Sequence, residues 1–407
     1  MDKTLGLYLH IPFCRSKCAY CDFYSITDHS CAQRYEEALA LHIEDYSRGL
    51  EHYTVDSVFL GGGTPTILPK NLLRDLFDVL YANFNVAENA EITVEANPAT
   101  LDAALLRRLS GQGVNRLSIG LQSVNDNELA ALSRIHTFVD FQQSFELARK
   151  ARFDNINIDL MYGIPGQTLD SFRHTLETVC AMHPEHLSVY GLKIEEGTPF
   201  AKKRDQLDLP DEDTEYAMYE YAVEALEGYG YMQYEISNFA QPGCECRHNL
   251  KYWTGMEYLG LGPAAHSYLG GRRFSFVRDI DTYIDALSGR RANGENPKTI
   301  LDENYAISER ERLGEYVMLR LRLNEGLSTA DFAQRFGRDF ERMYGKYLRV
   351  YLDNGFMQKR DGRYSFTTKG RYVSNYILST MLDFDSPIAN GIADGSDQCE
   401  SGRPAPQ

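Results

Sequence analysis

Six short runs of strand character punctuate the first half of the chain: Leu5–His10, Val55–Leu60, Glu91–Glu95, Asn115–Ile119, Asn155–Leu160 and Leu187–Tyr190. Between them apolar residues recur at helical spacing, as in Gln33–Arg48, Asn71–Phe84, Phe138–Ala151 and Leu169–Met182, so amphipathic helices separate the strands. Such alternation predicts a parallel sheet, because a crossover helix returns the chain to the start of a parallel neighbour. Six units fall short of the eight that close a (β/α)8 barrel, and the expected architecture is an α/β partial (β/α)6 barrel. Its working face should lie at the C-terminal ends of the strands.

A further helix is expected over Asp213–Gly228, after which the pattern changes to Tyr- and Gly-rich segments from Tyr231 to about Arg291, read as irregular. Asn304–Leu323 then reads as a long helix, Ser328–Phe336 and Asp339–Asn354 as two more, and Gly355–Thr367 as a hairpin turning at Asp361-Gly362. Three helices and a hairpin resemble a winged helix. The expected division is a barrel over residues 1–230, a bridge over 231–300, a winged-helix-like domain over 301–385 and a tail over 386–407. That tail has too few apolar residues to offset the entropy of ordering it, so disorder is expected there.

Composition narrows the class. The 407 residues are 43% hydrophobic and 25% charged, and no apolar run is long enough for a membrane span. Met1–Leu9 lacks the basic flank and long apolar core of a secretory signal, so the mature protein is expected to start here. A net charge of −16 repels phosphate backbones and makes nucleic acid an unfavoured partner. Ser328–Tyr372 runs against that balance, with ten Lys/Arg against five Asp/Glu, but carries no recognisable base-reading set. Eight cysteines are too sparse for a disulfide framework, and three crowd into Cys14–Cys21, which points to metal binding in a reducing compartment, the cytoplasm.

Those three form a CxxxCxxC loop just past the first strand: Tyr8-Leu-His10-Ile-Pro12-Phe13-Cys14-Arg-Ser-Lys-Cys18-Ala-Tyr20-Cys21-Asp-Phe23. Three thiolates suit soft metals and iron–sulfur clusters, and three ligands leave one iron of a cubane open to a small molecule. The alternatives are a zinc site, which normally takes four ligands, or ordinary buried thiols.

The spacing and the flanking Tyr-x-His-Ile-Pro-Phe resemble the radical S-adenosylmethionine (SAM) superfamily, in its HemN/HemW branch, over a stretch from Tyr8 through at least His266. The resemblance implies a [4Fe–4S] cluster on Cys14, Cys18 and Cys21. It also implies a SAM pocket in which Gly61-Gly62-Gly63-Thr64-Pro65 meets the methionyl amino group, with Gly62, Gly63 and Thr64 as contacts. Glu95, Gln122 and Arg134 line the same pocket, Asp159 takes the ribose hydroxyls, and Tyr8 and Tyr20 stand beside the cluster or the nucleoside. Any one of these charged residues could equally be a cap or a surface residue, and a Gly-rich turn needs no ligand.

Two departures separate the chain from the oxidase side of that branch, which decarboxylates coproporphyrinogen III. The oxidases carry an extra Cys two residues past the third ligand, where this chain has Phe23, and an N-terminal extension, where only seven residues precede Tyr8. Cys246-Arg-His248-Asn249-Leu-Lys-Tyr252-Trp253 resembles the HNxxYW segment of the other side of the branch, where the resemblance implies heme binding. It offers His248 as a heme ligand or as a structural residue, Tyr252 and Trp253 as walls, and Arg247 and Lys251 as cations. His266, in Gly260-Leu-Gly262-Pro-Ala-Ala-His266-Ser267, is a second candidate, since imidazole is a common axial ligand. His10 is read as supporting the cluster loop, and Cys244 and Cys246 as ordinary thiols.

The resemblance implies a heme chaperone that passes heme to an acceptor protein. The alternative is a radical SAM enzyme, a coproporphyrinogen oxidase or a class C methyltransferase, served by a flavodoxin or ferredoxin if SAM is cleaved. No residue of the chain is assigned a catalytic role, because the cofactors carry the chemistry.

Overall fold

The computed structural model describes residues 3–293 and 300–382. The expected tail, Cys399 included, lies outside them. Two compact units divide between Ser308 and Glu309.

The first unit begins with β1 (Lys3–Ile11), α1 (Ala32–Ser47), β2 (Tyr53–Gly62), α2 (Lys70–Asn83), β3 (Val86–Ala96), α3 (Ala103–Gly111), β4 (Arg116–Gln122), α4 (Asp126–Ala131) and α5 (Phe138–Lys150). It continues through β5 (Ile156–Tyr162), α6 (Leu169–Cys180), β6 (His186–Gly191) and α7 (Glu212–Gly228). β1 to β6 run parallel in sequence order, the partial (β/α)6 barrel. Register explains how the sheet sorts its residues. Leu9, Leu60, Val94, Leu117 and Ile156 are successive partners across five strands, all at most 2% exposed. Removing them from water drives the sheet against its helices, by roughly 1.5–3 kcal/mol for each large aliphatic chain. The opposite face is polar: Gly6, Ser57 and Glu91 form one row, and Glu95, Ser118, Asn157 and His186 another.

The segment expected to be an irregular bridge is regular and extends this sheet on both edges. It contains β7 (Met232–Gln233), β8 (Asn238–Ala240), α8 (Arg247–Thr254), β9 (Tyr258–Leu261), β10 (His266–Leu269), β11 (Arg272–Phe276), α9 (Ile280–Asn293) and β12 (Leu301–Ala306). The sheet has twelve strands in the order β12-β11-β10-β9-β1-β2-β3-β4-β5-β6-β8-β7. These added strands are two to six residues long, too short to display a period, so nothing local distinguishes them from loops.

In the second unit α10 starts at Glu309 and ends at Arg322, because the first residues of the helix expected from Asn304 belong to β12, hydrogen-bonded to β11. The unit continues with β13 (Leu327–Ser328), α11 (Thr329–Phe336), α12 (Phe340–Asp353), β14 (Met357–Arg360) and β15 (Arg363–Phe366), its sheet ordered β13-β15-β14. Helix, strand, two helices and a hairpin make a winged-helix topology. Its core includes Val317, Phe332, Phe340, Leu348 and Phe366.

Candidate functional site at the mouth of the barrel

The cysteine loop leaves β1 and is held by backbone bonds on both sides. Cys14 N–H donates to Ile26 O (2.9 Å) and Ile26 N–H to Pro12 O (2.7 Å), while Gly63 N–H reaches Ile11 O (2.8 Å) and Thr64 N–H reaches Phe13 O (2.7 Å). Phe13 is fully buried, its ring edge-on to Tyr35 at 5.3 Å. The three thiols remain partly exposed. Among the described residues no three His, Cys, Asp or Glu close around a single ion. Three free thiols on one loop are the donor type that iron–sulfur clusters take, so the donor set suits a cluster with three protein ligands.

The glycine run packs directly against the cysteine loop. A Cβ on Gly63 would lie 2.6 Å from Phe13 O and 2.7 Å from Ile11 O, and one on Gly62 would enter the His10 ring. Gly62, at φ 101°, also donates its N–H to Glu95 Oε2 at 3.1 Å. The missing side chains make room for the cysteine loop itself, and the amides of residues 62–64 are spent within the protein. The run can offer a ligand carbonyl acceptors, which suit an ammonium group, and not amide donors.

Four strands then bring their ends to the same place. Thr64 Oγ1 stands 3.7 Å from Cys14 Sγ and accepts from Asn97 Nδ2 at 2.7 Å. Asn97 Oδ1 accepts from Arg134 Nη2 at 2.6 Å, and Arg134 Nη1 points at Cys18 Sγ, 3.5 Å away. A continuous polar chain therefore joins two of the three cysteines, with a cation at one end. Asn97 was not expected as a site residue. It stands in Val94-Glu95-Ala-Asn97-Pro98, directly after β3, and only its partners reveal its role. A cavity of about 100 Å³ opens beside this chain, between Cys18, Thr64, Asn97 and Arg134.

Backbone strain marks the same rim. Ala99 (φ 61°), Gln122 (φ 77°) and Ser133 (φ 59°) adopt left-handed conformations without being glycine, at a cost of order 1–3 kcal/mol each, as is common at ligand sites. Gln122 ends β4, and Ser133 aims Arg134, which also donates to Gly120 O at 2.6 Å. Asp159 accepts from Asn157 Nδ2 at 2.8 Å and, more weakly, from Ser118 Oγ at 3.4 Å. Burial, and then the charge of Asp159, pushes the Glu95 carboxyl up to about 8. A carboxyl so buried favours its protonated form unless a cation comes beside it. Burial also raises Tyr8, whose hydroxyl meets His10 Nδ1 at 3.0 Å, and raises Tyr20, beside Arg134 and Cys18. His10 Nε2 is bound to Tyr24 O at 2.9 Å, so His10 supports the loop.

The HNxxYW segment lies on α8, with its histidine inside a hydrogen-bond network. His248 is 1% exposed, with Nδ1 at 3.0 Å from Ser57 Oγ and Nε2 at 2.8 Å from Tyr252 Oη. Both ring nitrogens therefore have hydroxyl partners. Lys251, expected as a cation for propionates, is buried in an ion pair with Asp56 at 2.7 Å. Glu91 caps the helix from β3, accepting from Arg247 N (2.9 Å) and His248 N (3.0 Å). Cys246 is fully buried and hydrogen-bonds to Glu91, an ordinary thiol.

A partial barrel with a three-cysteine loop after its first strand and a polar cavity beside the sulfurs defines a protein built around a site-differentiated iron–sulfur cluster. The Radical SAM superfamily signature matches residues 8–179 and the HemN C-terminal domain matches residues 307–373. The heme chaperone HemW of Bacillus subtilis (strain 168) is 35% identical, with 92% of this chain and 98% of the relative covered. That of Escherichia coli (strain K12) is 32% identical over 93% and 98%. Among solved structures, coproporphyrinogen III oxidase (HemN) from Escherichia coli superposes with a TM-score of 0.81 at 25% identity, covering 94% of this chain and 91% of that one. The chain belongs to the radical SAM superfamily, in the HemW family.

Proposed function

We propose that this protein is a heme chaperone, binding heme and passing it to an acceptor protein in the cytoplasm. The reading is carried by its end-to-end likeness to proteins named heme chaperones, at 35% identity for the Bacillus subtilis relative. Phe23, 70% exposed where the oxidases have a further thiol, agrees with it. Among the described residues no helix is long and apolar enough to cross a membrane.

In this reading Cys14, Cys18 and Cys21 hold the [4Fe–4S] cluster, whose open iron supplies a place for SAM. Gly62, Gly63 and Thr64 meet the methionyl end through backbone carbonyls and the Thr64 hydroxyl. Glu95 takes the ammonium, Arg134 the carboxylate, and Gln122 and Asp159 the ribose. Tyr8 and Tyr20 wall the nucleoside and keep water from the sulfurs. If SAM is cleaved, the electron comes from a flavodoxin or ferredoxin.

Anaerobically reconstituted protein should bind one hemin per chain and transfer it to an apo-hemoprotein, while leaving coproporphyrinogen III unconsumed with SAM and reductant present. Conversion to protoporphyrinogen IX would replace the chaperone by the oxidase.

A further inference from the structure

Resting on the chaperone reading, we propose that heme binds on the open face of the β9–β12 extension, with His266 as its axial ligand, and not on His248. Directly paired strand residues share a face, and the register places Tyr258, Tyr268, Arg273 and Tyr305 in one row across β9, β10, β11 and β12. His266 lies two residues before Tyr268 on β10, hence on the same face, about 7 Å along the strand. Its imidazole is exposed and takes no hydrogen-bond partner among the described residues, the opposite of His248.

The face matches the chemistry of heme. Tyr268 and the 44%-exposed Tyr305 offer flat apolar surface beside the imidazole. Arg273, held with its guanidinium 5.3 Å over the Tyr268 ring and Nη1 3.3 Å from Tyr258 Oη, is placed for a propionate. Glu303 ends the row of His266 and Ser275, so the propionates are directed to the Arg273 side. The row from Tyr258 to Tyr305 spans three strand spacings, about 14 Å, wide enough for a macrocycle laid flat.

This placement also accounts for the HNxxYW segment. Tyr252 meets Tyr258 edge-on at 4.5 Å, and Tyr258 receives Arg273. His248, bonded to Tyr252, is thus a positioning residue behind the heme face, acting through Tyr252 and Tyr258.

The test is hemin titration of full-length reconstituted protein, followed by optical and electron paramagnetic resonance spectra. His266→Ala should weaken binding at least tenfold and abolish imidazole ligation, and His266→Met should keep one heme per chain but change the ligation spectrum to a thioether type. His248→Ala, if folded by circular dichroism, should retain the imidazole signature. Unchanged ligation in both His266 variants, or its loss in folded His248→Ala alone, would overturn the site while leaving the chaperone reading in place. Absence of saturable hemin binding in the wild type would overturn both.

Discussion

Replacing Gly63 with alanine separates two accounts of the glycine run. If the missing side chain only made room for SAM, Gly63→Ala would keep its cluster and lose SAM. The structure predicts the reverse order of damage. The new Cβ would lie 2.6–2.8 Å from Phe13 O, Ile11 O and Phe13 N, all backbone atoms that cannot swing away. Relief requires parting the loop from β2, which breaks the bonds from Gly63 N to Ile11 O and from Thr64 N to Phe13 O. At about 1 kcal/mol each the two bonds alone disfavour the closed loop by about thirtyfold. Cys14, one residue beyond Phe13, moves with it. Iron and sulfide per chain after anaerobic reconstitution should fall well below the wild type in Gly63→Ala. Gly111→Ala, in an exposed helix position with nothing within 4 Å, should match the wild type. Full cluster content with lost SAM binding in Gly63→Ala would refute this reasoning.

Asn97→Leu, close to isosteric, removes the link between Thr64 and Arg134. Hydrogen bonds and cations at cluster sulfurs raise a reduction potential, so the variant should reduce at a more negative potential, by about 59 mV for each tenfold bias lost. An electron paramagnetic resonance redox titration reads this. Replacing Cys14, Cys18 or Cys21 with Ala should abolish the iron–sulfur absorption, whereas Cys246→Ala should leave it intact and lower only the melting temperature. Acid should destabilise the fold. Burial holds His10 and His136 down to about 4 and His42 and His248 down to about 3, while the unfolded chain titrates near 6.5 and so binds more protons. Each neutral histidine loses up to about 1.4 kcal/mol of stability per unit as pH falls from about 6.5 to its folded value. Glu95, raised to about 8, opposes this by favouring the protonated folded form at lower pH. Urea unfolding of the apo-protein at pH 7.5 and 5.5 should show the histidines prevailing, and equal midpoints would contradict their burial.

The sequence by itself determined the barrel and the cysteine loop, because both are written locally. Leu5, Leu7, Leu9 and Ile11 alternate with Gly6, Tyr8 and His10, and a period of two forces one set into the helix layer and the other onto the polar face. The three cysteines fall within one loop, so their meeting needs no long-range information. Everything decided by a distant partner stayed hidden. Asn97 acquires its role from Thr64 and Arg134, thirty-three and thirty-seven residues away. The hydrogen-bond partner of the His248 ring, Ser57, stands 191 residues earlier in the chain. The short strands β9–β12 exist because β1 offers an edge to pair with, and only that pairing lines His266 up with Tyr268, Arg273 and Tyr305. A strand of four or five residues has no stable form alone, so its hydrogen-bond partners, and with them the face its side chains share, belong to the tertiary structure.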